Sequence, residues 1–240
     1  MHRPATILAL LLSAVAIAAC GKDDETPAAG DGAGATATTA AGTATTRTTA
    51  SGCEAVEPAA PKGEQDRSAP SRALDDDKAY TALLDTSCGK IRIRLDVDDS
   101  PKTSSSFAAL ARDGFYDGLI FHRIAKPGGS DFVVQGGDPA GTGNGGPGYS
   151  VVEAPPKDTR YDEGVVAMAK SEIEDPGTSG SQFFIVTADK TDLPPDYAVL
   201  GRVVGSRKAV GRIAAAATDP QTEMPIEPVV IEKVTITERG

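Results

Sequence analysis

The stretch KIRIRLDV, residues 90–97, alternates between apolar side chains and charged ones. Its apolar residues, from Ile91 to Val97, fall on one face of an extended chain, and the charged residues fall on the other. This period of two predicts a β-strand with one buried face. The run YTALLDT, residues 80–86, precedes it, and SCGK between them fits a hairpin turn. The two runs therefore predict a strand pair.

Six further strand-like runs follow, separated by turns rich in Gly and Pro. They are LIFHRI (119–124), FVVQ (132–135), GVVAMA (164–169), SQFFIVT (181–187), AVLGRVV (198–204) and VVIEKVTIT (229–237). Two other segments predict helices, SPKTSSSFAALARDGF (100–115), with Ser100 as N-cap, and SRKAVGRIAAAAT (206–218). Eight short strands with two helices predict a mainly β domain over residues 76–240, a closed eight-stranded antiparallel β-barrel capped by two α-helices.

The N-terminal residues predict an export signal that lies outside the fold. A short basic start precedes an apolar run from Ile7 to Ala19, which is too short for a comfortable membrane span, and IAAC resembles a bacterial lipobox. We therefore expect residues 1–19 to be a lipoprotein signal peptide and Cys20 to carry lipid. That lipid would hold the protein on the extracytoplasmic face of the cell membrane. The alternative is an ordinary secretory signal in which Cys20 is incidental.

The segment of residues 20–75 is rich in Thr, Ala, Gly and Pro and offers few large side chains to bury. It predicts a disordered tether between the lipid and the domain. Cys53 and Cys88 are the two other cysteines. An oxidising compartment favours a disulfide between them, which would fasten the end of the tether to the domain. Two unrelated free thiols are the alternative.

Charge and motifs argue against several functions. The formal net charge of -10 argues against a nucleic-acid surface. Apart from His2 in the signal, His122 is the only histidine, and without a GxSxG elbow it fits a hydrogen-bonded structural role better than a triad. The GxGxxG of Gly141–Gly146 leads into Pro147 and a strand-like run, so it predicts a surface loop. No residues have zinc-ligand spacing, and we expect neither a metal nor a cofactor.

Apolar, amide and guanidinium side chains can share one surface of the predicted barrel. Gln182 and Phe184 lie on one face of their strand, and Val133 and Gln135 lie on one face of theirs. Arg123, in a third strand, would supply a fixed fork of charged donors. Such a site has no nucleophile and no base. It could bind a neutral, partly apolar group and polarise it.

Five motifs, in order, resemble those of the cyclophilin-type peptidyl-prolyl cis–trans isomerases: FHRI, QGGDPAGTGNGGPGY, GVVAMA, GSQFFIVT and AVLGRVV, within about residues 79–237. The resemblance implies the same barrel and an enzyme for X–Pro bonds. It implies that Arg123 is the catalytic residue, donating toward the prolyl amide. It also implies substrate-binding roles for Phe132, Val133, Gln135, Ala169, Lys170, Gln182, Phe184, Leu193 and Tyr197. The phenylalanines, Val133 and Leu193 would hold the proline ring, and the backbone at Ala169 and Lys170 would pair with the residue before it.

The chain departs from the family pattern at the rim of this site. Val133 stands where the family often has Met, and Lys170 where it commonly has Asn. Tyr197 replaces a frequent His, and Asp192 replaces a frequent Trp that contributes to cyclosporin binding. Weak sensitivity to cyclosporin is therefore expected. The connection AKPGGSD, residues 125–131, is also longer than usual.

The sequence as a whole predicts a lipid-anchored, monomeric isomerase. Its partners would be proline-containing segments of exported polypeptides and, through the lipid, the membrane, but not nucleic acid. One rival is a non-enzymatic binder of proline segments, which would not need Arg123. A second rival is a scaffold lipoprotein with a vestigial pocket, in which Gln135, Gln182 or Phe184 would be lost.

Overall fold

The computed structural model describes residues 47–240, and a closed barrel of eight antiparallel strands dominates it. The strands are β1 (Ala79–Thr86), β2 (Gly89–Leu95), β3 (Leu119–Ala125), β4 (Val133–Gly136), β5 (Val151–Val152), β6 (Val165–Met168), β7 (Thr178–Ser179), β8 (Phe183–Val186), β9 (Val199–Val203) and β10 (Val230–Arg239). The barrel order is β1-β10-β3-β4-β8-β6-β9-β2, and β5 pairs separately with β7. The predicted barrel with its two helices is confirmed. The short β5–β7 pair and a 3₁₀ turn at Pro127–Gly129 were not among the predicted elements.

Alternation along β2 decides which side chains enter the barrel. Ile91, Ile93 and Leu95 are buried, whereas the basic residues between them are exposed. Across the hairpin, Ile91 pairs with Leu84 of β1. Burying a side chain of this size contributes about 1.5–3 kcal/mol, so a slip by one residue, which would expose the whole set, is strongly disfavoured.

In the part of the chain that the structure describes, two α-helices accompany the barrel, α1 (Pro101–Arg112) and α2 (Lys208–Ala214). Ser100 occupies the N-cap of α1 as predicted, but its side chain makes no capping hydrogen bond. The carboxylate of Glu153 instead accepts the backbone N–H groups of Lys102 and Thr103, at 3.2 and 2.9 Å. This places a negative charge at the positive end of the helix.

Helix α2 is shorter than the predicted 206–218 because the chain turns away after Ala214. Ala217 accepts a backbone hydrogen bond from Ile226 at 2.8 Å, and Thr218 forms a β-bridge with Pro225. These contacts close a loop over residues 218–226 in place of further helix.

Residues 47–75, named here the N-terminal strap, differ from the disordered tether predicted for residues 20–75. The strap has no helix or regular strand, but Cys53 is buried and bonded to Cys88, with a Cα–Cα distance of 4.1 Å. Lys62 donates its backbone N–H to Pro139 and its Nζ to Phe115 O at 2.7 Å. Because the strap's backbone finds partners on the barrel, it does not need a large apolar surface of its own. The predicted signal peptide 1–19, Cys20 and the tether up to residue 46 lie outside the described residues.

Within residues 47–240, neither helix has the length and apolar character required to cross a bilayer.

Candidate active site

A small pocket opens at the outer face of strands β3, β4, β6 and β8. It has a volume of about 120 Å³ and is lined by Arg123, Phe132, Val133, Gln135, Ala169, Lys170, Phe184, Leu193 and Tyr197. Nine of the ten predicted catalytic and substrate-binding residues are thus brought together. The tenth, Gln182, lines an adjoining groove of about 490 Å³ that shares Gln135, Ala169 and Lys170 with the pocket.

A larger depression of about 750 Å³ lies elsewhere on the domain. Its lining is rich in charged side chains from the segments around Asp76 and Asp98 and includes none of the predicted site residues. The larger volume of this depression therefore does not mark it as the site. The smaller pocket is the better candidate because apolar side chains line it beside Arg123.

Strand register aligns the central side chains of the pocket. Arg123 of β3 pairs with Gln135 of β4, and Gln135 pairs with Phe184 of β8. Neighbouring strands lie about 4.8 Å apart, so guanidinium, amide and aromatic ring form one row across three strands. The row combines a charged donor, a neutral acceptor and an apolar surface.

The adjacent phenylalanines of β8 face opposite ways, as the strand period requires. Phe183 is fully buried inside the barrel and packs edge-on against Phe121, Tyr116 and Phe107, with ring centroids 5.8–6.0 Å apart. Phe184 packs edge-on against Tyr197 at 5.4 Å in the pocket. Phe183 therefore belongs to the core and Phe184 to the pocket.

Tyr161 supports the pocket and was not predicted. Its hydroxyl donates to the carbonyl of Tyr197 at 2.6 Å and accepts the N–H of Tyr197 at 3.0 Å. Burial raises the pKa of Tyr161 to about 12, so the hydroxyl stays protonated near neutral pH. The only sequence signal was a single aromatic residue in the polar run DTRYDEG, residues 158–164.

A chain of amides connects Arg123 to the glycine-rich loop. Arg123 Nη1 donates to Gln135 Oε1 at 3.5 Å, and Gln135 Nε2 donates to Gln182 Oε1 at 2.9 Å. Gln182 Nε2 then donates to the carbonyls of Gly143 and Gly145, at 2.9 and 2.8 Å. These bonds fix which end of each amide faces the arginine, so Gln135 presents an oxygen to the guanidinium.

The loop of residues 138–148, predicted only as a surface loop, forms one wall of the groove. The buried carboxylate of Asp138 accepts the backbone N–H groups of Ala140, Thr142 and Gly143 at 2.5–2.8 Å. Burial alone would raise the pKa of Asp138, but the backbone donors outweigh burial and the pKa lies below its usual value. The charged carboxylate thus holds the loop whose carbonyls hold Gln182.

His122 is buried beside this loop and does not line the pocket. It is 4% exposed, and neither ring nitrogen has a hydrogen-bond partner among residues 47–240. The burial expected from the sequence is therefore present, but the expected hydrogen bond is absent. Burial lowers the pKa of His122, Asp138 opposes this effect, and the charge of Arg123 adds to it. The ring is neutral at pH 7.

The ammonium group of Lys170 binds the adjacent loop. Its Nζ donates to the carbonyls of Ser171 and Glu174, both at 3.0 Å, and lies 5.8 Å from the centre of the Tyr197 ring. The N–H of Ala169 donates to Gln182 O at 2.9 Å. Pairing with a substrate backbone, as expected at this point, is therefore left to the Ala169 carbonyl and the Lys170 backbone.

Glu223, in the loop after α2, is a further residue that was not predicted. Its Oε2 accepts the Nε–H of Arg123 at 2.6 Å. Both side chains are partly exposed, and 100 residues separate them in the sequence. No spacing or motif signals such a contact.

The protein is thus an eight-stranded β-barrel that carries a small, largely apolar pocket beside an arginine. The pocket lining contains no Ser, Cys or His. The family model for cyclophilin type peptidyl-prolyl cis-trans isomerases matches residues 81–236. The chain belongs to this family, and it is a peptidyl-prolyl cis–trans isomerase.

Curated relatives agree with this assignment. The chain is 38% identical over 176 residues to peptidyl-prolyl cis-trans isomerase B of Streptomyces anulatus, an alignment that covers 66% of this chain and 97% of the relative. It is 37% identical over 175 residues to peptidyl-prolyl cis-trans isomerase A of Mycobacterium tuberculosis, covering 65% and 92%.

Solved structures show the same fold. A crystal structure of a cyclophilin type peptidyl-prolyl cis-trans isomerase from Cryptosporidium parvum superposes with a TM-score of 0.60 at 29% identity, covering 68% of this chain and 99% of that one. A second structure of that isomerase, in the presence of the dipeptide Ala-Pro, has a TM-score of 0.59 at 30% identity and covers 65% and 98%.

Proposed function

We propose that this isomerase accelerates X–Pro isomerisation in exported polypeptides and is held at the extracytoplasmic face of the membrane by lipid on Cys20. The observation that carries the proposal is the disulfide between Cys53 of the strap and Cys88 of the β1–β2 turn. Disulfides persist in oxidising compartments and are rare in the cytosol. Together with the lipobox-like IAAC at residues 17–20, this bond supports export.

The pocket residues have two tasks in the reaction, which are to hold the proline ring and to stabilise the twisted amide. The barrier to rotation, about 18–20 kcal/mol, comes from the partial double bond of the amide. Phe184, Val133 and Leu193 hold the proline ring, so the rest of the substrate rotates against a fixed point. Arg123 donates a hydrogen bond that favours the twisted amide, whose nitrogen lone pair has left conjugation. Binding the twisted form more tightly than the planar form lowers the barrier.

No covalent step or proton transfer is needed, which suits a pocket of this composition. Gln135 keeps the guanidinium oriented, and Gln182 keeps Gln135 oriented through their 2.9 Å hydrogen bond. We propose a monomer as the active unit, since this mechanism requires no residue from a second chain.

Anchoring is tested by expressing the full chain in a lipoprotein-processing bacterium fed with labelled palmitate. Label in the membrane fraction is expected for the wild type, and Cys20→Ala should lose both label and membrane association. Isomerase activity of the Cys20→Ala protein should be unchanged, because the pocket lies within residues 123–197. An unlabelled wild-type protein in the cytosolic fraction would contradict both export and anchoring.

A further inference from the structure

Glu223 has a backbone conformation that its side chain does not favour. Its φ is +58°, and it is the only non-glycine residue with positive φ within residues 47–240. Such a conformation is costly for a residue with a Cβ and persists only where the surrounding structure enforces it. The strained residue is the one whose carboxylate contacts Arg123 in the site.

The loop of residues 218–226 enforces this conformation from both sides. Asp219 accepts the N–H of Glu223 at 2.8 Å through its carbonyl and donates its own N–H to Met224 at 2.9 Å. The carboxylate of Asp219 accepts the N–H groups of Gln221 and Thr222, both at 2.9 Å. The turn is therefore closed by hydrogen bonds within the loop, independently of the contact between Glu223 and Arg123.

The same residue is joined to strand β3. The carbonyl of Glu223 accepts the N–H of Ile124 at 2.8 Å. Ile124 follows Arg123 in the chain, so backbone and side chain of Glu223 hold two consecutive residues of β3. The carboxylate is thereby fixed relative to the guanidinium.

This contact sets the plane of the guanidinium. Glu223 accepts from Nε, and Gln135 accepts from Nη1. Two acceptors on a planar fork fix its rotation. Among residues 47–240, no group accepts a hydrogen bond from Nη2, so Nη2 is available to a substrate. A guanidinium held in this way needs little reorganisation when the prolyl amide twists.

We propose that Glu223 is a positioning residue for catalysis, acting through Arg123 on the rate of isomerisation and not on substrate affinity. The inference rests on the proposed role of Arg123. The strained φ is the cost of placing the carboxylate at Nε, which predicts opposite effects of one substitution on stability and on rate.

Glu223→Gly separates these effects, because glycine accepts the positive φ and lacks the carboxylate. We expect its melting temperature to equal or exceed that of the wild type. We expect kcat for an X–Pro peptide to fall by about three- to ten-fold, with KM within about two-fold, since the pair is partly exposed. Glu223→Gln, which keeps an acceptor oxygen without the charge, should retain more of kcat than Glu223→Gly.

A spectroscopic readout tests the contact itself. In 15N-arginine-labelled protein, the Nε–H resonance of Arg123 should exchange slowly with water in the wild type and faster in Glu223→Gly. The matched control is Glu163→Gln, which breaks the Arg207–Glu163 ion pair of similar exposure, outside the pocket lining. Its kcat should be unchanged.

Two outcomes are distinguishable. If Arg123→Ala keeps full activity, the proposed role of Arg123 is wrong. If Arg123→Ala is impaired but Glu223→Gly has a wild-type or higher kcat, the role of Arg123 stands and the positioning role of Glu223 is overturned.

Discussion

The hydroxyl of Tyr161 holds both backbone groups of Tyr197, donating to its carbonyl at 2.6 Å and accepting its N–H at 3.0 Å. Tyr197 in turn packs edge-on against Phe184, so a buried phenol fixes one wall of the pocket. Thr191 donates its hydroxyl to the carbonyl of Tyr161 at 2.9 Å and steadies the support. The wall of the pocket therefore depends on Tyr161, whose hydroxyl bonds only to groups of the protein and not to a substrate.

Tyr161→Phe should therefore weaken both fold and pocket. Loss of the hydroxyl leaves the partly buried N–H and carbonyl of Tyr197 without this partner, which costs about 1–3 kcal/mol in the free energy of unfolding. Denaturant titration measures this loss, and kcat/KM should fall through a higher KM. The control is Tyr80→Phe, which removes one hydrogen bond from the N–H of Asp75, lies outside the pocket and the groove, and should leave KM unchanged. Equal KM values for both variants would argue against the support role.

Stability should depend on pH through His122. Burial lowers the pKa of His122 in the folded protein, so the folded state binds fewer protons than the unfolded state once pH falls below the unfolded value of about 6.5. The free energy of unfolding should therefore be highest above pH 6.5 and fall as pH decreases toward the lowered pKa. Asp138 and Arg123 are the charged groups that act on the ring. Unfolding titrations between pH 7.5 and about 5 measure this dependence, and His122→Leu should flatten it over this range. An unchanged slope in His122→Leu would assign the effect to other groups.

The disulfide should make the strap part of the folded unit. Cys53 and Cys88 are 35 residues apart, and closing a loop of this length stabilises by about 2–4 kcal/mol. The double variant Cys53→Ser, Cys88→Ser should lose about that amount in denaturant titration, and reduced wild-type protein should match it. Mass spectrometry of exported protein under non-reducing conditions should show the two cysteines joined. Free thiols at both positions would contradict the pairing.

Strand alternation made the barrel predictable from the sequence. The alternation in KIRIRLDV by itself predicts a strand, because only an extended chain places all of its apolar residues on one buried face. The pocket was predictable in a different way, through motifs that resemble a known family. Phe184 and Gln135 could be assigned because they lie in strands whose register the motif order implies.

Other features depend on contacts between distant loops, which leave no periodic signal. Glu223 is one of many exposed-looking acidic residues, and only the fold brings it to Arg123. Glu153 reaches the start of α1 across about 50 residues for the same reason. The composition of the strap, rich in small and polar residues, predicts disorder. Its order derives instead from a disulfide and from backbone hydrogen bonds to barrel loops.

Sensitivity to cyclosporin should be weak. Asp192 is exposed, and it lies next to Leu193 of the pocket where the family frequently has Trp. A carboxylate here would have to be desolvated against an apolar cyclic peptide, and it lacks the 150–250 Å² or so of apolar surface that an aromatic side chain buries. Asp192→Trp should tighten inhibition much more than it changes turnover of a small X–Pro peptide. The check is an inhibition titration of both proteins, and a wild type inhibited as tightly as the variant would refute this view of the rim.

The rate of cis-to-trans relaxation of an X–Pro peptide, followed without a coupling protease, tests the role of Arg123 most directly. Arg123→Ala should lower kcat/KM by a factor that corresponds to about 2.7–4 kcal/mol, because a donor to the twisted amide is lost. The barrel should stay folded, since the Arg123 side chain is partly exposed and lies outside the barrel core. Arg123→Lys, which keeps the charge but not the planar fork, should recover only part of the rate. An Arg123→Ala protein that is folded and relaxes the peptide at the wild-type rate would contradict the mechanism.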